Sequence, residues 1–358
     1  MNPTFTPDMP STSSPLLAQG RAAAPLILLT ALFATGCGQF ETRSIILDLR
    51  IMAVSAEPPE VVVPIDLESL PAAIEDPAAL AEILADVELP DVQVCALVGD
   101  PADSRSLEFT MHACAPTEVK RCDQPDRAIA EIATGTVEDP EEAGQPVAIC
   151  GTLSPSLALF QVLQETFQVD PYGGLSGLRV QIQFTVRPAG APFDEAEFAA
   201  KSMVFSVDYP AGKLPNNNPT MDTLGREFAD DQFAGMTAGR CSDIVAFPVA
   251  PGETITLEPI EAQGAREDYV VATLDGGTRS FTENLTYSWY STDGFWSQEV
   301  TGGPKDLAGN NPELSSEWTA PEDVDGPRDV SLWLVQRDER GGISWFESCV
   351  QVDPNMVP

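Results

Sequence analysis

The sequence predicts an all-β protein with two tandem sandwich domains, the first of which carries short helical insertions. Short runs rich in β-branched and aromatic residues recur along the chain, and turn sequences containing Gly or Pro separate them. The 358 residues are 43% hydrophobic, enough to bury two cores of ordinary size. A turn-rich stretch without periodicity at 209–219, YPAGKLPNNNP, divides the strand-like runs into two groups.

The first 36 residues have the parts of a secretory signal. Arg21 supplies a positive charge, residues 22–33 are apolar, and small residues precede Cys37. The apolar run is too short to cross a bilayer as a helix, which needs about 20 residues. These residues therefore predict export. The translation start is either Met1 or Met9, because the leader is long before its apolar part.

The segment Ala-Thr-Gly-Cys, which ends at Cys37, resembles the lipobox of bacterial lipoproteins. In that family the cysteine is acylated and becomes the mature N-terminus, so the resemblance implies lipidation of Cys37. The family's inner-membrane retention signal is usually Asp after the cysteine. Gly38 therefore implies the outer membrane, on its periplasmic or its cell-surface face. The alternative is an ordinary signal peptide cut near Ala34 or Gly36, with Cys37 as a free thiol.

These observations predict four segments. A lipoprotein signal peptide covers 1–36 and a lipidated tether covers 37–44. The first sandwich covers 45–210 and the second covers 211–358.

The cysteine count supports the anchor independently. Seven cysteines are present, and setting Cys37 aside leaves six, an even number that suits three disulfides in an oxidising compartment. Two cysteines lie near the start and end of the second domain, where a bridge would tie its first strand to its last. The four in the first domain allow three pairings, of which we favour one small loop and one longer bridge. Zinc is not expected, because no C-x₂-C pair occurs. The favoured pairs are Cys241–Cys349, Cys114–Cys122 and Cys95–Cys150.

In the first domain, β-branched runs in 45–63 are broken by Pro58-Pro59, which predicts two opening strands with a bend between them. Asp76-Pro77 predicts the start of a short helix, since both residues favour helix initiation. A second helix is predicted to begin at Ser154-Pro155, with apolar residues at helical spacing that include Leu157. Further strands are predicted at 92–98, 107–112, 178–186 and 202–207, of which 178–186 alternates like a half-buried strand.

The second domain contains almost only strand-like runs: TITLEPI, YVVATL, LTYSWYS, VSLWLVQ and ISWFESCVQV. All five tryptophans lie here. A row of tryptophans serves either as a sugar-stacking platform or as sandwich core, and the placement of Trp289 and Trp333 within strands favours the core.

The two halves also share a faint repeat. LRVQIQFTVRP followed by SMVFSVDYP resembles VSLWLVQRD followed by SWFESCVQVDP, and VQVCALVGDP resembles LTYSWYSTDG. A central strand and a closing hairpin in each half suit an immunoglobulin-like (Ig-like) sandwich. LRIMAVSAEPPEV, NNNPTMDTL, VAPGETITL and SEWTAP are similar to tandem Ig-like or PKD-like modules in uncharacterised lipoproteins of myxobacterial type. This resemblance implies architecture and location, and carries no catalytic residue.

The formal net charge is −36, from 55 acidic and 19 basic residues. Such a surface repels nucleic acid and anionic lipid headgroups, so we expect no nucleic-acid partner. The single histidine, His112, has no nucleophile motif beside it, which favours a structural role. The only cofactor considered is Ca²⁺, at Asp293-Gly294 or at 322–326, and acidic turns that need no ion are the favoured interpretation.

Two functions from different classes agree with these features. The first is a non-enzymatic, lipid-anchored envelope protein that acts as a structural or binding module toward an envelope protein or a glycan. The alternative is a carboxylate-based envelope hydrolase on a β scaffold. It predicts two facing acids in a deep cleft, for example beside Trp296 or Trp318.

Overall fold

A computed structural model describes most of the chain after the predicted tether. The described residues are 43–63, 88–101, 105–116, 118, 121–123, 127–137, 147–171, 174, 177–208, 213–229, 232–273 and 277–356. Cys37, the predicted signal peptide and the helix predicted at Asp76-Pro77 lie outside them. The predicted boundary at 210/211 also lies outside them and stays a prediction.

The structure is mostly β with several sheets, which confirms the all-β fold class. In the first half, a three-stranded sheet has the order β1-β3-β6 and a five-stranded sheet has the order β2-β8-β7-β4-β5. The strands are β1 Arg50–Glu57, β2 Glu60–Val63, β3 Val92–Gly99, β4 Leu107–Cys114, β5 Ile129–Val137, β6 Val147–Leu153, β7 Leu178–Pro188 and β8 Glu197–Val207.

The second half contains two five-stranded sheets and a two-stranded ribbon. The sheet orders are β10-β9-β12-β18-β16 and β11-β20-β19-β15-β17, and β13 pairs with β14. The strands are β9 Met221–Ala229, β10 Gln232–Gly235, β11 Phe247–Val249, β12 Thr254–Glu261, β13 Asp268–Ala272, β14 Thr278–Thr282, β15 Leu285–Ser291, β16 Phe295–Trp296, β17 Val300–Gly302, β18 Ser316–Thr319, β19 Arg328–Asp338 and β20 Ile343–Val352.

The two halves share one strand order. In each, a short strand runs parallel to the last strand, which pairs antiparallel with the strand before it. This equivalence matches the first part of the sequence repeat, β7–β8 with β19–β20. The second part of the repeat is wrong: β3 lies between β1 and β6, whereas β15 lies between β19 and β17 and occupies the place of β4. Sequence similarity between short strands reports shared β-propensity and alternation rather than shared position.

The bend predicted in the opening segment is present. β1 ends before Pro58-Pro59 and pairs with β3, and β2 begins after the two prolines and pairs with β8. Because proline has no N–H to donate to a ladder, the chain leaves one sheet at this point and joins the other.

The predicted helix after Ser154-Pro155 is present as α1, Leu157–Val169, with the Ser156 hydroxyl accepting from Leu159 N at 3.1 Å. Its buried residues are Leu159, Val162, Leu163 and Thr166. Leu157, one of the apolar residues predicted at helical spacing, is 75% exposed, because the face that packs on the core begins two residues later.

β7 differs from the half-buried strand that its alternation predicts. Val180, Ile182, Phe184 and Val186 face the core, but Gln181, Gln183 and Thr185 are also buried. Cys122 lies against this second face, where its N donates to Gln183 Oε1 at 2.5 Å and its Sγ contacts Gln181. A contact from outside the strand leaves no signal in the periodicity of the strand.

Candidate functional site

A set of buried charges lies between the two halves, around Glu60 at the start of β2. One carboxylate oxygen of Glu60 accepts from Ser206 Oγ at 2.6 Å and from Lys213 Nζ. The other accepts from Asn216 N at 2.9 Å and from Arg340 Nη2 at 2.9 Å. Glu60 is only 6% exposed, so all of these donors serve a carboxylate that water scarcely reaches.

Arg340, in the β19–β20 turn, connects this carboxylate to two others. Its Nη1 lies 3.3 Å from Glu283 Oε1 and 3.5 Å from Glu267 Oε2, at the base of the β13–β14 ribbon. Its guanidinium also stands 4.9 Å from the ring centroid of Tyr269. Its Nη2 also donates to Leu214 O of the linker at 3.3 Å. One guanidinium therefore joins the first half, the linker and the ribbon of the second half.

The asparagine run of the linker, which the sequence predicted as turn-rich and without periodicity, is held by contacts with both halves. Asn216 Nδ2 donates to Asp338 Oδ2 at 3.2 Å, and Asn217 Nδ2 donates to Glu267 Oε1 at 2.5 Å. Asn218 Nδ2 donates to Ala56 O at 2.8 Å, while Asn218 Oδ1 accepts from Ile343 N at 2.8 Å. Consecutive amides at a domain boundary were the available signal, since each offers a donor and an acceptor.

An apolar cluster completes this contact. Ile46, Met52, Ala53 and Leu97 of the first half are buried against Trp333 and Val335 of β19. We call this region the junction. It consists of the apolar cluster, Asn216–Asn218 and the charged residues Glu60, Lys213, Arg340, Glu267, Glu283 and Asp338. Because Arg337 also donates to Met52 O at 2.9 Å, polar and apolar contacts act on the same strands.

Burial shifts the pKa values of charged groups at the junction. Burial alone would raise the pKa of Glu60, but hydrogen bonds from Lys213 and Ser206 outweigh it and hold the pKa below its usual value. Burial, with Asp338 and Glu267 nearby, raises the pKa of Glu283 to about 7. Lys201 of β8 lies near Asp338 and Arg337 of β19, and burial lowers its pKa to about 8. Its Nζ has no hydrogen-bond partner among the described residues.

Three disulfides lie within the sandwiches, which confirms the disulfide prediction. They are Cys95–Cys150, Cys114–Cys122 and Cys241–Cys349, the pairs favoured from the sequence. Cys95 and Cys150 lie opposite each other on β3 and β6. Both sulfurs of Cys114–Cys122 contact Gln181 of β7, and Cys241–Cys349 ties the segment before β11 to the last strand.

A groove of about 350 Å³ lies on β4, β5 and β7 of the first sandwich. Arg187 donates to Glu108 Oε2 from Nε at 3.1 Å and from Nη2 at 2.8 Å. Gly190 N donates to Glu108 Oε1 at 3.3 Å. Because Arg187 donates to it, the pKa of the Glu108 carboxyl lies below its usual value. The other lining residues are Phe109, Thr110, Thr134, Gly135, Thr136, Thr185 and Phe193.

A second groove, of about 340 Å³, is lined by Thr256, Ser297, Gln298, Glu313, Ser315, Ser316 and Glu317. Glu313 accepts from Gln298 Nε2 at 2.8 Å and from Ser315 Oγ at 3.4 Å. This second groove is polar throughout, and none of its lining residues is aromatic.

The tryptophans considered as a sugar platform lie mostly in the core. Trp289, Trp296, Trp318 and Trp333 are each at most 2% exposed. The core assignment of Trp289 is confirmed, whereas Trp333 is buried against the first half and not inside the second sandwich. Trp289 and Trp296 pack with ring centroids 5.0 Å apart, and each donates its indole N–H to a hydroxyl at 3.0 Å. Trp296 and Trp318 also lie in the core of the second sandwich.

The other predicted positions lie apart from one another. His112 lies in β4 between Glu131 of β5 and Gln183 of β7. Asp293, the first calcium candidate, uses one carboxylate oxygen for Gly294 N at 2.7 Å and the other for Arg328 at 2.6 Å.

Among the described residues, no group of three or more His, Cys, Asp or Glu side chains is arranged to hold a metal ion. In the same residues, no helix has the length and hydropathy to cross a membrane.

Comparison with known proteins identifies no family for this chain. No family model matches it, and no curated protein matches it. Solved structures align at 10% identity over most of this chain but under a third of their own length. Red sea bream transglutaminase aligns with 73% of this chain and 29% of its own, at a TM-score of 0.20. The native conformation of E. coli alpha-2-macroglobulin aligns with 75% of this chain and 15% of its own, at a TM-score of 0.18. Dimeric latent PorU from Porphyromonas gingivalis aligns with 87% of this chain and 24% of its own, at a TM-score of 0.18.

Proposed function

We propose that this chain is a non-enzymatic, lipid-anchored protein of the bacterial outer membrane whose two sandwiches act as a rigid structural or binding module of the cell envelope. The junction is the observation that carries the proposal. Glu60 of the first sandwich and Arg340 of the second are used in holding the two sandwiches together. A stiff pair of sandwiches presents its surfaces in a fixed relation, which favours binding because less freedom is lost on contact.

The anchor part of the proposal comes from the sequence. Cys37 follows a secretory signal in a segment that resembles a lipobox, and the other six cysteines are paired with one another. Disulfides persist in oxidising compartments, and the bacterial periplasm and cell surface are such places. By the resemblance stated above, we place the chain among uncharacterised myxobacterial-type lipoproteins with tandem Ig-like modules.

The acidic surface limits the partners. With a net charge of −36, the module is repelled by nucleic acid and by anionic headgroups. Attachment to the membrane would then depend on the acyl group, and the partner would be an envelope protein or a glycan.

Mass spectrometry of the mature N-terminal peptide tests the proposal. The chain would be expressed in a Gram-negative host, and the peptide compared between wild type and Cys37→Ser. We expect a diacylglyceryl mass on Cys37 and recovery of the wild-type protein with outer membranes, whereas the Cys37→Ser protein loses both. An unmodified N-terminus elsewhere in the chain contradicts the anchor.

A further inference from the structure

We propose that the groove on β4, β5 and β7 binds a neutral saccharide. This inference rests on the proposed function, because it names the class of partner that the binding module meets.

The ion pair in the groove offers donors and acceptors side by side. Arg187 has five N–H donors and directs only two of them at Glu108, from Nε and Nη2. The Glu108 carboxylate has about four lone-pair positions and accepts three hydrogen bonds, of which one comes from Gly190 N. The remaining donors and acceptor match two neighbouring hydroxyls of a sugar ring, each of which both donates and accepts.

Threonines extend this polar floor across three strands. Thr110 of β4 lies opposite Thr134 of β5 and opposite Thr185 of β7. Thr136 lies opposite Glu108 in the adjoining row. A hydroxyl rotates to donate or to accept as the ligand requires. The floor therefore suits a ligand made of hydroxyls rather than one with a single charged group.

Phe193 supplies an apolar surface at the border of the groove. Its side chain is 49% exposed, unlike the tryptophans of the second sandwich. Phe198 packs against it with ring centroids 5.3 Å apart. The Arg121 guanidinium carbon lies 5.3 Å from the centroid of the Phe193 ring. A fixed and exposed aromatic ring beside hydrogen-bonding groups complements a sugar, which has an apolar C–H face and a polar edge.

Charge decides between neutral and anionic saccharides. Glu108 and Arg187 form a pair without net charge, so the groove holds no uncompensated cation for a phosphate or a uronate among its lining residues. The whole chain carries −36 and repels polyanions before contact. A neutral saccharide escapes this repulsion.

An NMR titration of the chain expressed without its leader, from position 37 and with Cys37→Ser, tests the inference. The probes are cellotriose, maltotriose and N,N′-diacetylchitobiose, with trigalacturonate as the anionic comparison. We expect saturable shifts of Thr110 and Thr134 with a neutral probe at millimolar concentration. We expect Phe193→Ala to weaken binding about tenfold, the loss of one aromatic contact. Arg187→Gln should weaken it to a similar extent.

Phe295→Ala is the matched control, because Phe295 is a 56% exposed aromatic residue on the second sandwich. It should leave the affinity unchanged. The inference is overturned if no neutral probe shifts the groove, if Phe193→Ala binds as tightly as the unsubstituted chain, or if trigalacturonate binds most tightly. The titration uses a chain without an acyl group. A negative titration therefore counts against saccharide binding alone, and a negative Cys37 mass measurement counts against the lipid anchor alone.

Discussion

Arg340→Met is the substitution that tests the junction most severely. Methionine retains much of the apolar volume of the side chain and removes the guanidinium. Glu60 would keep its hydrogen bonds from Lys213, Ser206 and Asn216. Glu283, whose side chain is 1% exposed, would lose its cationic partner entirely. The variant therefore leaves one buried carboxylate without a countercharge and a second one with a reduced set of donors.

Removing one partner of a buried ion pair costs about 3–5 kcal/mol. Because Lys213 still compensates Glu60, we expect the lower end, about 3 kcal/mol of the free energy of unfolding at pH 8. The matched control is Arg328→Met. Arg328 is 55% exposed and pairs with Asp293 at 2.6 Å, so its loss should cost about 0–1 kcal/mol.

Urea unfolding followed by tryptophan fluorescence measures both variants, since Trp333 is buried at the junction. The double variant Arg340→Met/Glu283→Gln should recover about 1 kcal/mol or more of the loss, because it no longer buries an unpaired charge at that position. Equal losses for Arg340→Met and Arg328→Met would refute the argument. So would a double variant whose loss equals the sum of the two single losses.

Three further predictions concern buried charges and disulfides. The pKa of Lys201 is about 8 in the folded chain against 10.5 unfolded, so stability should rise by about 3 kcal/mol as the pH increases from about 8 to 10.5. Urea titrations of Lys201→Met should not show this rise in stability. A rise that persists in the variant would show that Lys201 is not its source. The pKa of Glu283 is about 7 against 4.5 unfolded, so stability should fall as the pH rises from 4.5 to 7. Glu283→Gln should remove this fall, and the same titration at pH 5 and 7 checks it. Replacing both members of Cys241–Cys349 by serine should cost about 5 kcal/mol, against about 2.5 kcal/mol for Cys114–Cys122, because the bridges close 108 and 8 residues. Calorimetric melting of both variants checks the order, which would be wrong if the short loop mattered more.

The parts of the fold that depend on local pattern could be predicted from the sequence. Alternation in LTYSWYS places Leu285, Tyr287 and Trp289 on one face, and the structure buries all three. Pro58-Pro59 marks the change of sheet because proline lacks a ladder donor. The even cysteine count, with short and long spacings, led to the three pairs that the structure contains.

The junction could not be predicted, because its members are far apart in sequence. Glu60 and Arg340 are separated by 280 residues, and both look like ordinary surface charges in the sequence. Asn216–Asn218 look like a loop because asparagine favours turns, and only the facing strands reveal what each amide bonds. The groove could not be predicted for the same reason: Glu108 and Arg187 are 79 residues apart, and only the register of β4 with β7 brings them together.

The central claim is that the junction holds the two sandwiches as one rigid body. Pulsed electron paramagnetic resonance tests this directly, because it measures the distribution of distances between two spin labels. The labels are nitroxide-bearing unnatural amino acids at positions 131 and 305. Glu131 and Lys305 are both exposed and lie on different sandwiches, and this labelling leaves the disulfides untouched. We predict one narrow distance distribution in the unsubstituted chain and a broad one in Arg340→Met. A distribution that is equally broad in both chains would contradict the claim.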